Sequence, residues 1–231
     1  VVYKTTAQNI SDAQIASQID ALNKDYNATN ADLSKVPSNF QSVKAGNTNI
    51  RFVLSKVVRK VTTKTSWTTN DAVKKSTGIT PTTPTTSLNI WVCNLSGGIL
   101  GYAQFPGGAS ATDGVVIDDN AFGTTGTVSA PFNKGRTATH EIGHWLNLRH
   151  IWGDANCGND QVSDTPLHNT ANYGCPAAGH LSSCTGKPVE MTMNYMDYSD
   201  DACMYMFSAG QKTRMLASFA TGGGRNSFAK P

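Results

Sequence analysis

No apolar run in this sequence approaches the roughly twenty residues that a membrane-spanning helix needs, so we expect no membrane association. Cys-x-x-Cys pairs are also missing, which argues against a zinc ribbon. Charged residues make up only 15% of the 231, and the positive ones are scattered instead of forming a basic patch, which disfavours nucleic-acid binding. The chain opens without the basic and apolar segments of a signal peptide.

The composition that remains is typical of a secreted globular domain. The chain is rich in Thr, Ser, Asn and Gly, and its 39% of hydrophobic residues can form one core. We expect a secreted monomer in its mature form, after removal of signal and pro-segment. Residues 1–150 carry a net charge of +5, whereas residues 151–201 carry −6. The acidic stretch favours a bound hard cation or a basic substrate, although a merely solvated loop explains it equally well.

The clearest chemical pattern is a histidine–glutamate motif near the middle of the chain. His140 and His144 are four residues apart, so on a helix they share one face and can take two corners of a zinc tetrahedron. Glu141 can reach a water in an open coordination position and act as a general base. His150 can join them only if the helix ends near Asn147 and the chain turns back. The spacing predicts a zinc-dependent hydrolase.

Asn147 departs from the extended zinc consensus, which has glycine at this position. Glycine suits a helix end at positive φ, and asparagine is among the other residues that tolerate this geometry best. We therefore expect Asn147 to be a workable substitute. A chance His-x-x-x-His on a solvated helix is the alternative, and both the third histidine and a later methionine turn disfavour it.

Further motifs follow the zinc-binding pattern. They are Ser-Asp-Thr-Pro at 163–166, Tyr-Gly-Cys-Pro at 173–176 and Asn-Tyr-Met-Asp-Tyr-Ser-Asp-Asp-Ala-Cys-Met at 194–204. With His-Glu-Ile-Gly-His-Trp-Leu at 140–146, they resemble the pappalysin family of metzincin zinc metallopeptidases, in particular its ulilysin-like secreted enzymes. The resemblance covers about the second half of the chain, and the first half is similar only in its order of elements. It implies an endopeptidase that acts on protein or peptide substrates.

The same resemblance implies roles for two residues near the metal. Met196 would form an apolar floor beneath the zinc and not ligate it, since a thioether is a poor zinc partner beside three imidazoles. Tyr198 is similar to a tyrosine that lies near the metal in some metzincins. It is a candidate donor to the transition state, and packing alone is the alternative.

Five cysteines occur in the chain. Cys93 lies in an apolar run and is interpreted as a buried free thiol. The other four follow the zinc motif, where disulfides would replace a missing core. Four cysteines allow three pairings, and the sequence does not choose among them. Resemblance to the pappalysins implies Cys157 with Cys184 and Cys175 with Cys203.

The spacing of apolar residues predicts the order of elements. Strands are expected at 1–5, 50–54, 88–95 and 115–117. Helices are expected over 136–147 and after Ser11 and Ser208, each of which has a glutamine three residues on, as in a capping box. The proline-rich stretch 80–86 should be an exposed loop.

Residues 100–105 have the position of the metzincin edge strand, along which a peptide substrate lies extended. We expect Gly101, Tyr102 and Ala103 to bind substrate, because backbone hydrogen bonds hold any peptide sequence while side-chain pockets select among them. An ordinary strand is the alternative.

The expected fold class is α+β, in a metzincin-like catalytic domain that spans 1–231. Its upper part, 1–150, would hold a twisted mixed sheet and two helices above the cleft. Its lower part, 151–231, would be loop-rich and disulfide-bonded, with a C-terminal helix.

Acidic residues after the zinc motif suggest two further sites. The family resemblance implies calcium near Asp160 and Asp164. In ulilysin-like enzymes, an acidic residue at the position of Asp201 favours arginine and lysine just after the cut bond. Because a carboxylate pairs with a guanidinium in bidentate fashion, Asp201 predicts cleavage before Arg, with Lys second. A merely structural Asp201 is the alternative.

Catalysis is expected to follow from zinc and Glu141, which would take the proton of the attacking water and return it to the leaving amine. Two rival hypotheses exist. A zinc-binding module without turnover is disfavoured by the presence of Glu141. A closed structural zinc site would need a fourth ligand, and no further histidine or cysteine stands at suitable spacing. His168 and His180 are expected to be surface residues.

Overall fold

The computed structural model describes residues 1–229, which form an α+β fold. The helices are α1 (Asp12–Tyr26), α2 (Arg136–Trp145) and α3 (Ala209–Ala217). The strands are β1 (Val2–Tyr3), β2 (Lys60–Val61), β3 (Ile90–Cys93), β4 (Gly101–Ala103) and β5 (Val115–Asp118). Short 3₁₀ helices lie at Ala31–Lys35, Ser38–Val43, Ala72–Lys74, Ser110–Thr112, Asp201–Cys203 and Asn226–Phe228.

Helices α1 and α3 begin at the two serines that the sequence indicated. The hydroxyl of Ser11 accepts a hydrogen bond from the backbone N–H of Gln14 at 3.1 Å, and Ser208 accepts one from Gln211 at 3.1 Å. At α3 the Gln211 side chain returns a bond to the backbone N–H of Ser208, which completes a capping box. At α1 the Gln14 amide instead donates to the carbonyl of Phe122 and so joins the helix to the loop after β5.

The main sheet has the strand order β3-β5-β4. β5 is buried along its length and runs parallel to β3 and antiparallel to β4, with Tyr102 opposite Val116. β1 and β2 form a separate parallel pair. The predicted strands at 1–5, 88–95, 100–105 and 115–117 are present, most of them in shortened form. β4 lies at an edge of the sheet, as expected.

The prediction of a strand at 50–54 is wrong. The backbone of this segment pairs with the side chain of Asn23 on α1 and that of Asn27 just after the helix, and not with another strand. Asn23 both donates to the carbonyl of Phe52 and accepts from its N–H, each at 2.9 Å, and Asn27 donates to the carbonyl of Ile50 at 3.1 Å. The β-branched and aromatic pattern predicted a strand, but the backbone partners are side chains 23 and 29 residues away in the sequence.

A main hydrophobic core takes residues from both parts of the chain, from Val1 to Met215. All six methionines are buried in it. Five of them fall within the loop-rich stretch 191–206, where long unbranched side chains fill irregular gaps. Within residues 1–229, no helix combines the length and apolar character needed to cross a membrane.

Two disulfides lie in the lower part of the chain. They join Cys157 to Cys184 and Cys175 to Cys203, the pairing that the family resemblance implied. Cys93 is a buried free thiol on β3, as expected.

A buried ionic network joins α1, α2 and the segment that contains Met196. The Arg136 guanidinium at the start of α2 hydrogen-bonds to Asp25 and pairs with Asp32 at 3.0 Å. It also donates to the hydroxyl of Tyr195 at 2.5 Å. Thr139, one turn further along α2, donates to the second oxygen of Asp25 at 2.7 Å. Burial and opposite charge make these bonds costly to break singly.

Candidate active site

The three motif histidines converge on one point. His140 and His144 lie one turn apart on α2, and His150 approaches from the chain after the helix. Their imidazole nitrogens all lie within 4.8 Å of one another, and Nε2 of His144 is 3.0 Å from Nε2 of His150. Among the residues that the structure describes, this is the only cluster of three or more His, Cys, Asp or Glu with such spacing.

Each helical histidine is oriented through its other ring nitrogen. Nδ1 of His140 lies 2.7 Å from the carbonyl oxygen of Tyr195, and Nδ1 of His144 lies 2.8 Å from that of Leu148. A carbonyl oxygen can only accept, so the proton is on Nδ1 and the lone pair on Nε2. The two rings are therefore held in the tautomer that can ligate a metal through Nε2.

The chain reaches His150 through a tight turn at the end of α2. Asn147 has a φ of +76°, the left-handed geometry expected in place of glycine. The N–H of Leu148 donates to the carbonyl of Gly143 at 2.9 Å, which closes the helix end. From α3, Arg214 donates to the Asn147 carbonyl at 2.6 Å. The turn is thus held from both sides.

Two residues that the sequence reasoning missed support His150. Its ring stacks on Trp152 with 4.3 Å between centroids and 6° between planes. Its Nδ1 lies 2.5 Å from the carboxylate of Asp154. A carboxylate often supports a metal-bound imidazole in this way. The aspartate four residues after His150 was a usable signal in the sequence.

The donor set suits zinc. Burial lowers the pKa of His140 well below its ordinary value and that of His144 to about 4, and it also lowers the pKa of His150. The imidazoles are therefore neutral near pH 7, the form in which histidine binds zinc. Three such nitrogens leave the fourth tetrahedral position to a water or a substrate.

Glu141 lies on α2 beneath the edge strand. It is 8% exposed, and burial raises its pKa to about 8. A Cβ added at Gly101 of β4 would lie 2.9 Å from Cγ of Glu141 and 2.9 Å from the carbonyl oxygen of Val116. Glycine at this position therefore lets the strand pass directly over the carboxylate.

Met196 lies under the other side of α2. It is fully buried, and a Cβ added at Gly143 would lie 2.5 Å from its sulfur. Its backbone N–H donates to the side chain of Asn194 at 2.9 Å, and that amide also accepts from Gln211 of α3. The methionine turn is thus fixed against both helices.

Tyr198 lies beside the histidines. Its hydroxyl is 3.0 Å from Nε2 of His150, and its ring packs edge-on against Trp152 at 4.8 Å. The side chain is 39% exposed, and desolvation raises the pKa of its phenol to about 12. It therefore carries a proton at neutral pH and faces the cleft from the metal side.

Asp201, from the 3₁₀ helix Asp201–Cys203, lies beside the first residues of α2 and is only 1% exposed. Its Oδ2 accepts from the backbone N–H groups of Lys134 at 2.7 Å and Arg136 at 3.3 Å. Burial raises its pKa to about 6. Within residues 1–229, no hydrogen-bond donor contacts its Oδ1. One carboxylate oxygen therefore has a structural role, whereas the other has no hydrogen-bond donor among these residues.

The two aspartates expected near calcium have different hydrogen-bond partners. Asp164 caps α3: its oxygens accept from Ser208 at 2.6 Å and from the N–H of Gly210 at 2.8 Å. Asp164 therefore anchors the start of α3, and its expected role as a calcium ligand stays a prediction. Asp160 accepts from the hydroxyl of Thr165 at 2.9 and 3.0 Å, within the loop 158–167.

The prediction that His168 is a surface residue is wrong, although His180 is exposed. His168 is fully buried, and its Nε2 accepts from the N–H of Met191 at 2.9 Å. Its Nδ1 lies 3.6 Å from Glu190 and 3.5 Å from Asp197, both of them buried. No local pattern in the sequence indicates this cluster, because its members come from separate loops.

An HExxH helix, a third histidine after a left-handed turn and a methionine turn below them together define a metallopeptidase of the metzincin class. Comparison with known families gives the finer assignment. The family model Peptidase_M43, described as Pregnancy-associated plasma protein-A, matches residues 82–220. The chain belongs to this family, the pappalysins.

Relatives and solved structures agree with this assignment. An extracellular metalloprotease of Pyricularia oryzae is 36% identical over 93% of this chain and 70% of its own length. One of Arthroderma benhamiae is 34% identical over 91% and 72%. Mature mirolysin of Tannerella forsythia, solved in complex with a cleaved peptide, has a TM-score of 0.94 and 44% identity, with 99% of this chain and 92% of the other covered. The chain is therefore a pappalysin-type metalloprotease.

Proposed function

We propose that this chain is a zinc endopeptidase in which Glu141 is the general base. The observation that carries the proposal is the convergence of three neutral imidazoles beside a buried carboxylate. Zinc would be held by Nε2 of His140, His144 and His150. When bound, it would supply a Lewis acid that polarises the peptide carbonyl and lowers the pKa of a water molecule.

The protein's own groups would then move the proton. Glu141 accepts it from the attacking water and returns it to the leaving amine, and the low-polarity surroundings strengthen both transfers. The hydroxyl of Tyr198 faces the same space and donates a hydrogen bond to the oxyanion. Met196 does not react and supports the histidines from below.

The test is Glu141→Ala, assayed on an unstructured protein substrate with zinc content and thermal midpoint measured in parallel. We expect at least ~10²-fold loss of rate, the scale of a positioned base, with zinc content and midpoint unchanged. A strong chelator should abolish the parent activity and zinc should restore it. A variant that binds zinc and cleaves at near the parent rate would show that Glu141 is not the base.

We propose that substrate pairs with the open edge of β4. Leu100 and Gln104, on either side of the strand, hydrogen-bond to the β5 side at 2.8 and 3.1 Å. In an antiparallel ladder, the backbone N–H and C=O groups of alternate residues point toward the partner strand, so those of Tyr102 also point toward β5. Gly101 and Ala103 then direct their N–H and C=O groups toward an extended peptide.

We further propose that Asp201 favours arginine, then lysine, just after the cut bond. The support is its unshared Oδ1 in a buried position, where a guanidinium would find a carboxylate that bulk water does not screen. The same burial raises the pKa of Asp201 to about 6, so its neutral, protonated form becomes populated near that pH.

Calcium is proposed at Asp160. Both of its carboxylate oxygens and the carbonyl of Val162 lie 2.9–3.0 Å from the hydroxyl of Thr165, so four oxygens of one loop converge. Calcium prefers such mixed carboxylate, carbonyl and hydroxyl ligands. Calcium addition to chelated protein should raise the thermal midpoint in the parent and not in Asp160→Asn. An equal rise of the thermal midpoint in both proteins would show that calcium does not bind at Asp160.

We propose that 1–150 and 151–231 are upper and lower parts of one catalytic domain, since a single core runs through both. By analogy with relatives named extracellular metalloproteases, we also propose secretion as a mature monomer.

A further inference from the structure

Three successive carbonyl groups at the C-terminal end of α2 accept hydrogen bonds from side chains of α3 and the chain that follows it. The donors are Nε of Arg225, Oγ of Ser218 and Nε of Arg214, which bond to the carbonyls of Trp145, Leu146 and Asn147 at 3.0, 3.1 and 2.6 Å, respectively. The last carbonyls of a helix lack intrahelical donors, and cationic groups are favourable beside them. This part of the chain therefore caps the helix that carries two of the three clustered histidines.

In the part of the chain that the structure describes, Arg225 is the one of these donors that also reaches the chain leaving β4. Its Nη2 donates to the carbonyl of Gln104, one residue after the strand, at 3.0 Å. Its Nη1 pairs with Asp113, shortly before β5, at 2.8 Å. Its Cζ lies 4.1 Å from the centroid of the Trp145 ring. Three nitrogens of one planar group thus join the end of α2, the end of β4 and the start of β5.

This bridge is buried at the rim of the cleft. Arg225 is only 4% exposed. A Cβ added at Gly224 would lie 2.6 Å from Cβ of Pro106, so the chain around Arg225 lies directly on the loop after β4. In the same loop, the ring of Phe105 is 5.2 Å from that of His144, and its side chain is 42% exposed. The loop that Arg225 holds therefore borders the histidine cluster.

The position of Gln104 bears directly on the outer edge of β4. Its N–H donates to the carbonyl of Gly114 at 3.1 Å, and its own carbonyl is held by Arg225, so both of its backbone groups are fixed. The N–H of Gln104 and the C=O of Ala103 belong to one planar trans peptide unit and point in opposite directions. Fixing Gln104 therefore also fixes the direction of the Ala103 carbonyl, which faces away from β5.

We propose that Arg225 is a positioning residue for substrate: by bonding at once to the end of α2 and to Gln104, it holds the outer edge of β4 at a fixed distance from the histidines of the helix. This inference rests on the proposed pairing of substrate with β4. Arginine suits the role because its planar fork directs several N–H groups at fixed angles, whereas a lysine ammonium is a compact point charge. Lysine at this position would keep the ion pair with Asp113 but would not span the two carbonyls as well.

The test compares Arg225→Lys with the parent, using a peptide that spans a cleaved site and has its scissile bond reduced so that it cannot be cut. Peptide affinity is measured by titration with zinc present, and hydrogen exchange of the Gly101 and Ala103 amides is measured with and without peptide. We expect the Kd of the peptide to rise by about fivefold or more in the variant, with a matching loss of peptide-dependent protection at both amides. The thermal midpoint and zinc content should stay close to the parent values, because the ion pair with Asp113 remains.

Arg214→Lys is the matched control. It makes the same exchange at the same helix end, but the bond that it removes goes to Asn147 and not to the chain after β4. Its peptide affinity should lie within about twofold of the parent value. Parent affinity in Arg225→Lys would overturn the proposal. An equal loss of affinity in Arg214→Lys would also overturn it, because the helix end alone would then account for the effect. A parent chain whose Gly101 and Ala103 amides gain no protection from the peptide would instead refute the pairing of substrate with β4.

Discussion

Asn147 offers the sharpest test of how the chain turns back to the metal. Left-handed backbone costs a residue with a Cβ about 1–2 kcal/mol, and asparagine tolerates it better than most. Asn147→Gly relieves this strain but adds about 0.5–1 kcal/mol of backbone freedom to the unfolded state. The free energy of unfolding should therefore stay within roughly 1 kcal/mol of the parent.

Asn147→Val should behave differently, because a β-branched side chain resists a φ of +76° most strongly. We expect a loss of at least about 1–2 kcal/mol, or roughly 2–8 °C in thermal midpoint for a chain of this size. Zinc affinity should fall by about tenfold or more, since His150 is placed by this turn. Denaturant titration of the zinc-free protein and competition with a chromogenic chelator measure the two effects separately.

Asn49→Val is the matched control. Asn49 is exposed and also lies at positive φ, +62°, but in a loop before residue 50 and outside the metal site. It should lose comparable stability with no change in zinc affinity. Equal zinc affinity in Asn147→Val and Asn147→Gly would refute the reasoning, because His150 would then not depend on the turn.

Three further results are expected. The first concerns the ratio of kcat/KM for a peptide with Arg after the cut bond to that for a peptide with Gln there. This ratio should fall as the pH drops through about 6, where Asp201 takes up a proton, and in Asp201→Asn it should not depend on pH. A ratio in the parent that does not change with pH would show that Asp201 does not bind the Arg side chain. Reduction of either disulfide should lower the free energy of unfolding by about 3.5 kcal/mol, the chain-entropy value for separations of 27 and 28 residues. Denaturation with and without reductant measures this loss, and a loss of well under 1 kcal/mol would contradict the prediction. Arg136→Met should lower the free energy of unfolding by about 3–5 kcal/mol, because it leaves buried carboxylates without a partner. Arg59→Met, whose partner carboxylate is 85% exposed, should lower it by at most about 1 kcal/mol. Similar losses in the two variants would contradict a stabilising role of the buried network.

The sequence predicted the parts of the molecule whose causes are local. Ser11 and Ser208 start helices because their hydroxyls bond to an N–H three residues on, and that spacing is visible in the chain. The three histidines converge as expected because helix periodicity and one left-handed residue fix their directions. The edge position of β4 followed from the family resemblance.

The errors fall where the partner is remote. Residues 50–54 have the pattern of a strand, but Asn23 and Asn27 bind their backbone across the fold. His168 is buried, and its Nδ1 lies within 3.6 Å of two carboxylates from other loops. No spacing rule along the chain predicts these long-range contacts.

The burial of all six methionines has a consequence for chemical durability. Methionine is readily converted to its sulfoxide by peroxides, and the added oxygen makes an apolar side chain polar. Here every methionine is at most 6% exposed, and at Met196 the sulfur already fills the space beside Gly143. Inactivation by oxidants should therefore follow the rate at which the lower part of the molecule opens, and agents that tighten that part should also prolong activity in peroxide.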